Sequence, residues 1–326
     1  MVAMTAHEHG LPEGLNIREV PQPHFDGIVV AVIPAYNEER FIGSVVLLTR
    51  NYVDAVVVVD DGSTDRTAQI AHFAGATVVR HKVNKGKGEA LNTGFKKARE
   101  LFLPNAVVTL DADWQHLPEE LPKVVKPITD GEADIVIGSR YLEQTSEVPL
   151  QRVMGHRGFT MMINALSGTQ VSDSQSGFRA FSLNAIKNIT FNTKGFGVES
   201  EMQFVASDQQ LRVIEVPITI RYLDRPKRSV VRHGLNVLTS VLRLMGQHRP
   251  LLFFWLMGGA SLVVAFALGV AELEQYRTSN TVDIVLAMLI VFLLTSGSVA
   301  LFTGIILHTL RGFVLELIRP VISREA

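Results

Sequence analysis

The sequence predicts an α/β fold: a Rossmann-like domain built on covered strands, followed by two transmembrane α-helices. Three observations predict it. Short β-branched runs alternate with helical stretches between residues 28 and about 224. Those runs end in polar, carboxylate-bearing segments, as ligand-binding strand ends do in open α/β sheets. Two long apolar runs, Leu251–Ala271 and Ile284–Leu310, then follow.

Composition agrees. Hydrophobic residues make up 47% of the 326 positions, and mean hydropathy is +0.22. Both are high for a purely soluble chain and direct attention to membrane segments. The net charge of -1 offers no overall basic field for nucleic acid. There is no cysteine, which excludes disulfides, thiolate zinc sites and cysteine nucleophiles.

Taken in order, residues 1–27 are polar, with scattered His, Pro and Gly, and read as a loose tail without a secretory signal. Residues 28–224 form the α/β domain. Its clearest runs, Ile28–Ile33, Val56–Val59, Val107–Leu110 and Ile135–Ile137, are nearly all apolar, as parallel strands covered on both faces are. Helical stretches between them imply βαβ units. Residues 225–249 are basic, with Leu235, Leu238, Leu242 and Met245 at helical spacing, and read as an amphipathic juxtamembrane helix. Residues 250–326 hold the two spans, at about 251–271 and 284–310, each long enough to cross a bilayer. The intervening Glu272–Asp283 is predicted as an acidic linker. Lys and Arg crowd before the first span and after the second, at Arg311 and Arg319. The positive-inside rule then predicts an integral membrane protein with its large domain and both termini cytoplasmic. His308 reads as interfacial or, less readily, as a proton relay.

The motifs stand at the strand ends. The first run leads into Pro34-Ala35-Tyr36-Asn37-Glu38. The second leads into Asp60-Asp61-Gly62-Ser63-Thr64-Asp65, where two carboxylates can accept hydrogen bonds from a ribose or a base. Ser63 or Thr64 is expected to cap a helix starting near Arg66. Gly86-Lys87-Gly88 is not a dinucleotide fingerprint, because Leu91 occupies the third glycine position. Lys82–Lys87 reads as a flexible basic loop, beside donor phosphates or merely solvated. The run Val107–Leu110 ends in Asp111-Ala112-Asp113-Trp114-Gln115-His116. Two carboxylates one residue apart, with the Gln115 carbonyl, suit a hard cation, Mg²⁺ or Mn²⁺, that also engages substrate phosphates. Further on come Gly138-Ser139-Arg140, then Arg152 and Arg157, whose guanidinium forks suit phosphate. Asp173-Ser174-Gln175-Ser176-Gly177-Phe178-Arg179 and Phe196-Gly197-Val198-Glu199-Ser200-Glu201 follow. Each of these two, taken alone, is equally a loop or capping element.

Together, from about residue 28 to 229, these segments resemble the family 2 glycosyltransferases of GT-A fold, and within them the dolichyl- and polyprenyl-phosphate hexose synthases. The resemblance implies a nucleotide-sugar-binding domain in which Pro34, Tyr36, Asn37, Glu38 and Asp61 contact the nucleoside. Asp60, Lys87, Asp111, Asp173 and Glu201 complete the donor region. It implies that Asp111, Asp113 and Gln115 hold the metal. Asp113, Arg140, Arg152 and Arg225 would carry the chemistry, the arginines addressing donor or acceptor phosphates. The family often continues from that last arginine with Gly-x-Ser-Lys, whereas this chain has Pro226-Lys227-Arg228-Ser229. No Gln-x-x-Arg-Trp motif of processive polysaccharide synthases is present. The expected reaction is inverting transfer of a hexose from a UDP- or GDP-sugar to a polyprenyl phosphate. The alternatives are another membrane lipid or a lipid-linked glycan as acceptor, for which Asp173 or Glu201 would serve as base, and a non-catalytic membrane scaffold. Homo-oligomers are compatible with the sequence.

Overall fold

The computed structural model describes residues 25–142, 150–191, 197–220, 239, 242, 245–246 and 249–322. Seven strands form one sheet: β1 (Val29–Ala35), β2 (Ala55–Asp60), β3 (Thr77–Arg80), β4 (Ala106–Thr109), β5 (Ile135–Ser139), β6 (Arg179–Ser182) and β7 (Val213–Pro217), in the order β3-β2-β1-β4-β6-β5-β7. The helices of this body are α1 (Ile42–Thr49), α2 (Thr67–Phe73), α3 (Lys87–Phe102), α4 (Leu121–Thr129), α5 (Leu150–Ser167), α6 (Leu183–Asn188) and α7 (Val198–Asp208).

The four runs named from sequence each fall on a strand, with Ile28 and Leu110 just outside β1 and β4. Val107–Leu110, the third of these runs, falls on the fourth strand, because β3 intervenes. The sheet is also mixed: β6 pairs antiparallel with both β4 and β5, while the other pairs are parallel. All strands except β6 therefore run the same way, and their carboxyl ends share one edge. β1 is apolar throughout because both of its faces are covered. Val29, Ala31 and Ile33 enter one buried layer with α1 and α4, and Val30 and Val32 enter the other with α3 and α7. Gly94 lets α3 approach the sheet closely; a Cβ there would lie 2.3 Å from a Val32 methyl.

Two long helices follow, α8 (Pro250–Ser279) and α9 (Ile284–Ile322). Both outrun the apolar runs that announced them. Glu272, predicted in a linker, lies within α8, because its polar last turns are rich in good helix formers. α8 ends where Asn280 turns left-handed at φ 51°, and the connection to α9 is correspondingly short. Glu272 Oε1 accepts the Asp283 N–H at 2.6 Å, tying the connection to α8. The two helices meet through small residues. A Cβ on Gly258 would come within 2.7 Å of the Gly297 carbonyl, and Ser261 Oγ donates to Leu293 O at 2.9 Å. Their outer faces carry exposed apolar side chains such as Phe266 and Val285. Both are long and apolar enough to cross a membrane. Most of the basic stretch 225–249, including Leu235 and Leu238, lies outside the described residues.

Candidate active site

Two loops at the carboxyl edge are laced together first. After β1, Asn37 sits at φ 56°. Its N–H donates to Ser63 Oγ at 2.9 Å, and its Oδ1 accepts the Thr64 N–H at 2.9 Å. Glu38 N–H donates to Thr67 Oγ1 at 2.8 Å. Ser63 and Thr64 thus fasten the β1 loop. The predicted capping role falls instead to Asp65, whose Oδ1 accepts both the N–H and the hydroxyl of Thr67. The reason is reach: Asp65 stands two residues before Thr67, where a carboxylate can close an Asx turn. Tyr36 remains 46% exposed beside this loop, and Pro34 lies at the end of β1.

Asp60 and Asp61 are buried. Asp60 Oδ1 accepts the Ser63 N–H at 3.0 Å, and its other oxygen lies 2.9 Å from Arg80 Nε. Asp61 accepts the N–H groups of Lys85 and Gly86 at 2.9 and 2.8 Å and contacts His81 Nδ1 at 2.7 Å. The segment read from sequence as a flexible basic loop is therefore pinned by Asp61. It enters α3 through Gly86 at φ 96°, a conformation that favours glycine.

That entry aims Lys87, the first residue of α3, at the carboxylates after β4. Lys87 Nζ lies 2.5 Å from Asp111 Oδ1 and 2.7 Å from Glu199 Oε1 of α7. Burial alone would lower the lysine, but the two carboxylates raise it above its ordinary range. Burial would raise Asp111, yet the Lys87 ammonium holds it below the usual carboxylate range. Asp113 moves the other way, raised by burial and then by repulsion from Asp111. Gln115 N–H donates to Asp113 Oδ1 at 3.1 Å. The turn is held by Trp114 at φ 64° and by His116 Nδ1, which accepts the Asp111 N–H at 3.1 Å. Burial pushes that imidazole down to about 4, so it stays neutral and able to accept.

A second ion pair stands beside the first. Arg140, after β5, grips Asp173 with both fork arms, Nε to Oδ2 at 2.6 Å and Nη2 to Oδ1 at 2.7 Å. Asp173 is fully buried; against the cost of burial, Arg140 holds it ionised below the ordinary range. Glu215 of β7 fixes the loop from behind, accepting the Ser172 N–H at 2.6 Å and the Asp173 N–H at 3.0 Å. Arg179, fully buried, donates to the carbonyls of Ser176 and Ser174 at 2.8 and 3.0 Å and so shapes the turn at Gly177. Burial lowers its guanidinium to about 10, opposed by Glu199, Asp173 and Glu215.

The structure thus brings Lys87, Asp111, Asp113, Arg140 and Asp173 to one edge. Glu201 is buried on α7, two residues and so about 200° around the helix from Glu199. Of the Glu199/Glu201 pair, it is Glu199 that meets Lys87. Arg152 lies in α5 but its side chain is outside the described residues, as is all of Arg225. Sequence reading passed over Glu199 as a site residue, Glu215 and the internal role of Arg179. The one available signal was a lone carboxylate inside the apolar run Val213-Ile214-Glu215-Val216.

Asp111 and Asp113 fit a hard divalent cation. They offer oxygen only, and Asp113, raised first by burial and then by repulsion from Asp111, faces a repulsion that a dication would relieve. Among the described residues no group of three or more acidic or His side chains gathers into a cage. Further positions would fall to Gln115, diphosphate oxygens and water, as is usual for Mg²⁺.

The family model for "Glycosyl transferase family 2" matches residues 30–190. A UDP-N-acetylglucosamine–dolichyl-phosphate N-acetylglucosaminyltransferase of Methanococcus voltae is 36% identical over 222 residues, covering 61% of this chain and 88% of that one. The chain belongs to glycosyl transferase family 2. An undecaprenyl-phosphate mannosyltransferase of Micrococcus luteus is 34% identical, over 62% of this chain and 87% of that relative. Among solved structures, glucosyl-3-phosphoglycerate synthase of Mycobacterium tuberculosis in complex with Mn²⁺, UDP and glucosyl-3-phosphoglycerate superposes with a TM-score of 0.54. It is 26% identical, with 68% of this chain and 80% of that one covered. The body is therefore a GT-A glycosyltransferase fold, followed by two helices able to span a membrane.

Proposed function

We propose that this glycosyltransferase moves a hexose from a UDP- or GDP-sugar to a polyprenyl phosphate at the cytoplasmic membrane face, by a single inverting displacement. The observation that carries the reading is the Lys87–Asp111–Asp113 constellation at the carboxyl edge, in a chain that also bears two outward-apolar helices. The similar transferases of Methanococcus voltae and Micrococcus luteus are named for dolichyl-phosphate and undecaprenyl-phosphate acceptors, which supports the acceptor class.

The laced loops around Pro34, Tyr36, Asn37, Glu38, Asp60 and Asp61 would hold the nucleoside. Asp111, Asp113 and Gln115 would hold Mg²⁺ or Mn²⁺, whose chemistry here is neutralisation of the departing diphosphate. Lys87 and Arg140 add cationic charge beside it, and Arg152 and Arg225 would serve the acceptor phosphate. A phosphate monoester has a second pKa of about 6 and needs little help from a base. Asp173 favours that acceptor over a hydroxyl: clamped by Arg140 and held ionised, it is a weak proton acceptor. The test incubates detergent-solubilised protein with polyprenyl phosphate and a panel of nucleotide sugars, reading lipid products by mass spectrometry. One sugar-phosphate lipid is expected, lost in chelator and in Asp113→Asn. Full activity in excess chelator overturns the metal role, and preference for a neutral alcohol overturns the phosphate acceptor.

A further inference from the structure

We propose that Lys87 is a resident counter-cation of Asp111, which a divalent ion must displace, so that the ion enters together with the donor rather than before it. The inference rests on the metal reading above and concerns the order of binding. Nζ of Lys87 already occupies the Asp111 oxygen that would otherwise meet the ion, at 2.5 Å, and it is braced from the far side by Glu199 Oε1 at 2.7 Å. The other oxygen of Asp111 faces Gly177, whose lack of a side chain leaves room for the ion pair. A Cβ on Gly177 would lie 2.8 Å from Asp111 Oδ2 and 2.9 Å from Nζ. A second cation at this carboxylate would therefore sit within a few ångströms of the Lys87 ammonium and be repelled by it.

The lysine backbone is fixed, since Asp61 holds the N–H groups of Lys85 and Gly86. Its side chain is not: four torsions and three N–H donors let the ammonium exchange one anion for another. An arriving diphosphate supplies that other anion. Once Nζ turns to the diphosphate, Asp111 is released to the ion, and the diphosphate itself offers further oxygens. Each ligand then raises the affinity of the other by the same factor, as coupled sites must. Before the donor arrives, Lys87 compensates the partly exposed Asp111 and the buried Glu199, so the unliganded site stays folded without an ion.

The experiment titrates Mn²⁺ into full-length protein in detergent, following free Mn²⁺ by electron paramagnetic resonance, without nucleotide and with UDP or with GDP; UDP below stands for whichever of the two binds. Wild type is expected to bind Mn²⁺ weakly alone and more tightly with UDP. Lys87→Met should bind Mn²⁺ alone more tightly than wild type by roughly tenfold, within the range of ordinary site coupling, while losing affinity for UDP. Lys87→Gln serves as a second neutral variant if Lys87→Met melts early, and Lys87→Arg should keep the weak wild-type behaviour. Equal or weaker Mn²⁺ binding by folded Lys87→Met and Lys87→Gln overturns the proposal. So does wild-type binding that both UDP and GDP leave unchanged. Wild type that binds no Mn²⁺ even with UDP overturns the metal reading itself, a result distinguishable from the other two.

Discussion

Gly177 shows how little room the site leaves around Asp111. A methyl on Gly177 would meet the Asp111 carboxylate oxygens at 2.8 and 3.0 Å and the Lys87 ammonium at 2.9 Å, so these paired side-chain ends must give way to it. Gly177→Ala should move Asp111 by a few tenths of an ångström and lower turnover several-fold, less than the roughly 100-fold that a 1 Å misplacement can cost. Its melting temperature should change little, because no core contact is lost. Measuring kcat beside thermal unfolding decides it: wild-type turnover would mean that the position of Asp111 is not critical. The carboxylates Asp111 and Asp113 were legible because they end an apolar strand. Lys87 was legible only as part of a basic segment, since its second partner, Glu199, comes from α7, remote in sequence. Glu215 was legible only as a lone carboxylate in an apolar run, without its role. The groups it serves are backbone N–H groups of Ser172 and Asp173, which leave no mark on a sequence.

Two helix ends show how the catalytic body is fastened to the apolar pair. The last carbonyls of any helix lack partners. For α5, Arg249 supplies them, donating from Nε to Leu166 O and from Nη2 to Ser167 O, both at 3.2 Å. α7 ends on Asp208, a carboxylate at the negative pole of its helix, and Arg311 offsets it at 2.6 Å. Arg249 stands immediately before α8 and Arg311 lies within α9, while α5 and α7 pack together through Ile163 and Phe204. The apolar helices thus hold α7 by one end, and its other end presents Glu199 to Lys87. Arg311→Asp should raise KM for a lipid acceptor in vesicles several-fold. It should leave UDP binding and melting nearly unchanged, since a partly exposed pair contributes at most about 1 kcal/mol. The swapped pair, Asp208→Arg with Arg311→Asp, should restore KM; failure to restore it removes the pair as a tether. This arrangement, like antiparallel β6, was hidden from sequence. β6 is four residues, Arg-Ala-Phe-Ser, too short for a period, and its place between β4 and β5 is set by pairing rather than by composition.

For the whole molecule, the two arginine contacts and the helix pairing lead to one topology. Arg249 and Arg311 both touch the catalytic body, so the start of α8 and the late part of α9 lie on its side. α8 and α9 pack along their length through Gly258, Gly297 and Ser261, so their connection lies at the far end. That connection is acidic, with Glu272, Glu274 and Asp283 against Arg277, whereas Arg311 and Arg319 follow on the side of the body. Cationic residues are retained on the cytoplasmic side of a membrane. The catalytic body is therefore expected in the cytoplasm, where nucleotide sugars would reach Lys87 and Asp111 directly. The absence of cysteine makes the test clean. A cysteine at Ser279, on the exposed last turn of α8, should react with a membrane-impermeant thiol reagent applied to intact cells. A cysteine at Lys96, on the exposed face of α3, should react only after the membrane is opened. Labelling at Lys96 but not at Ser279 in intact cells would place the catalytic body outside and reverse the topology. Labelling at neither position before permeabilisation would show that α8 and α9 do not cross, leaving the pair lying along one membrane face.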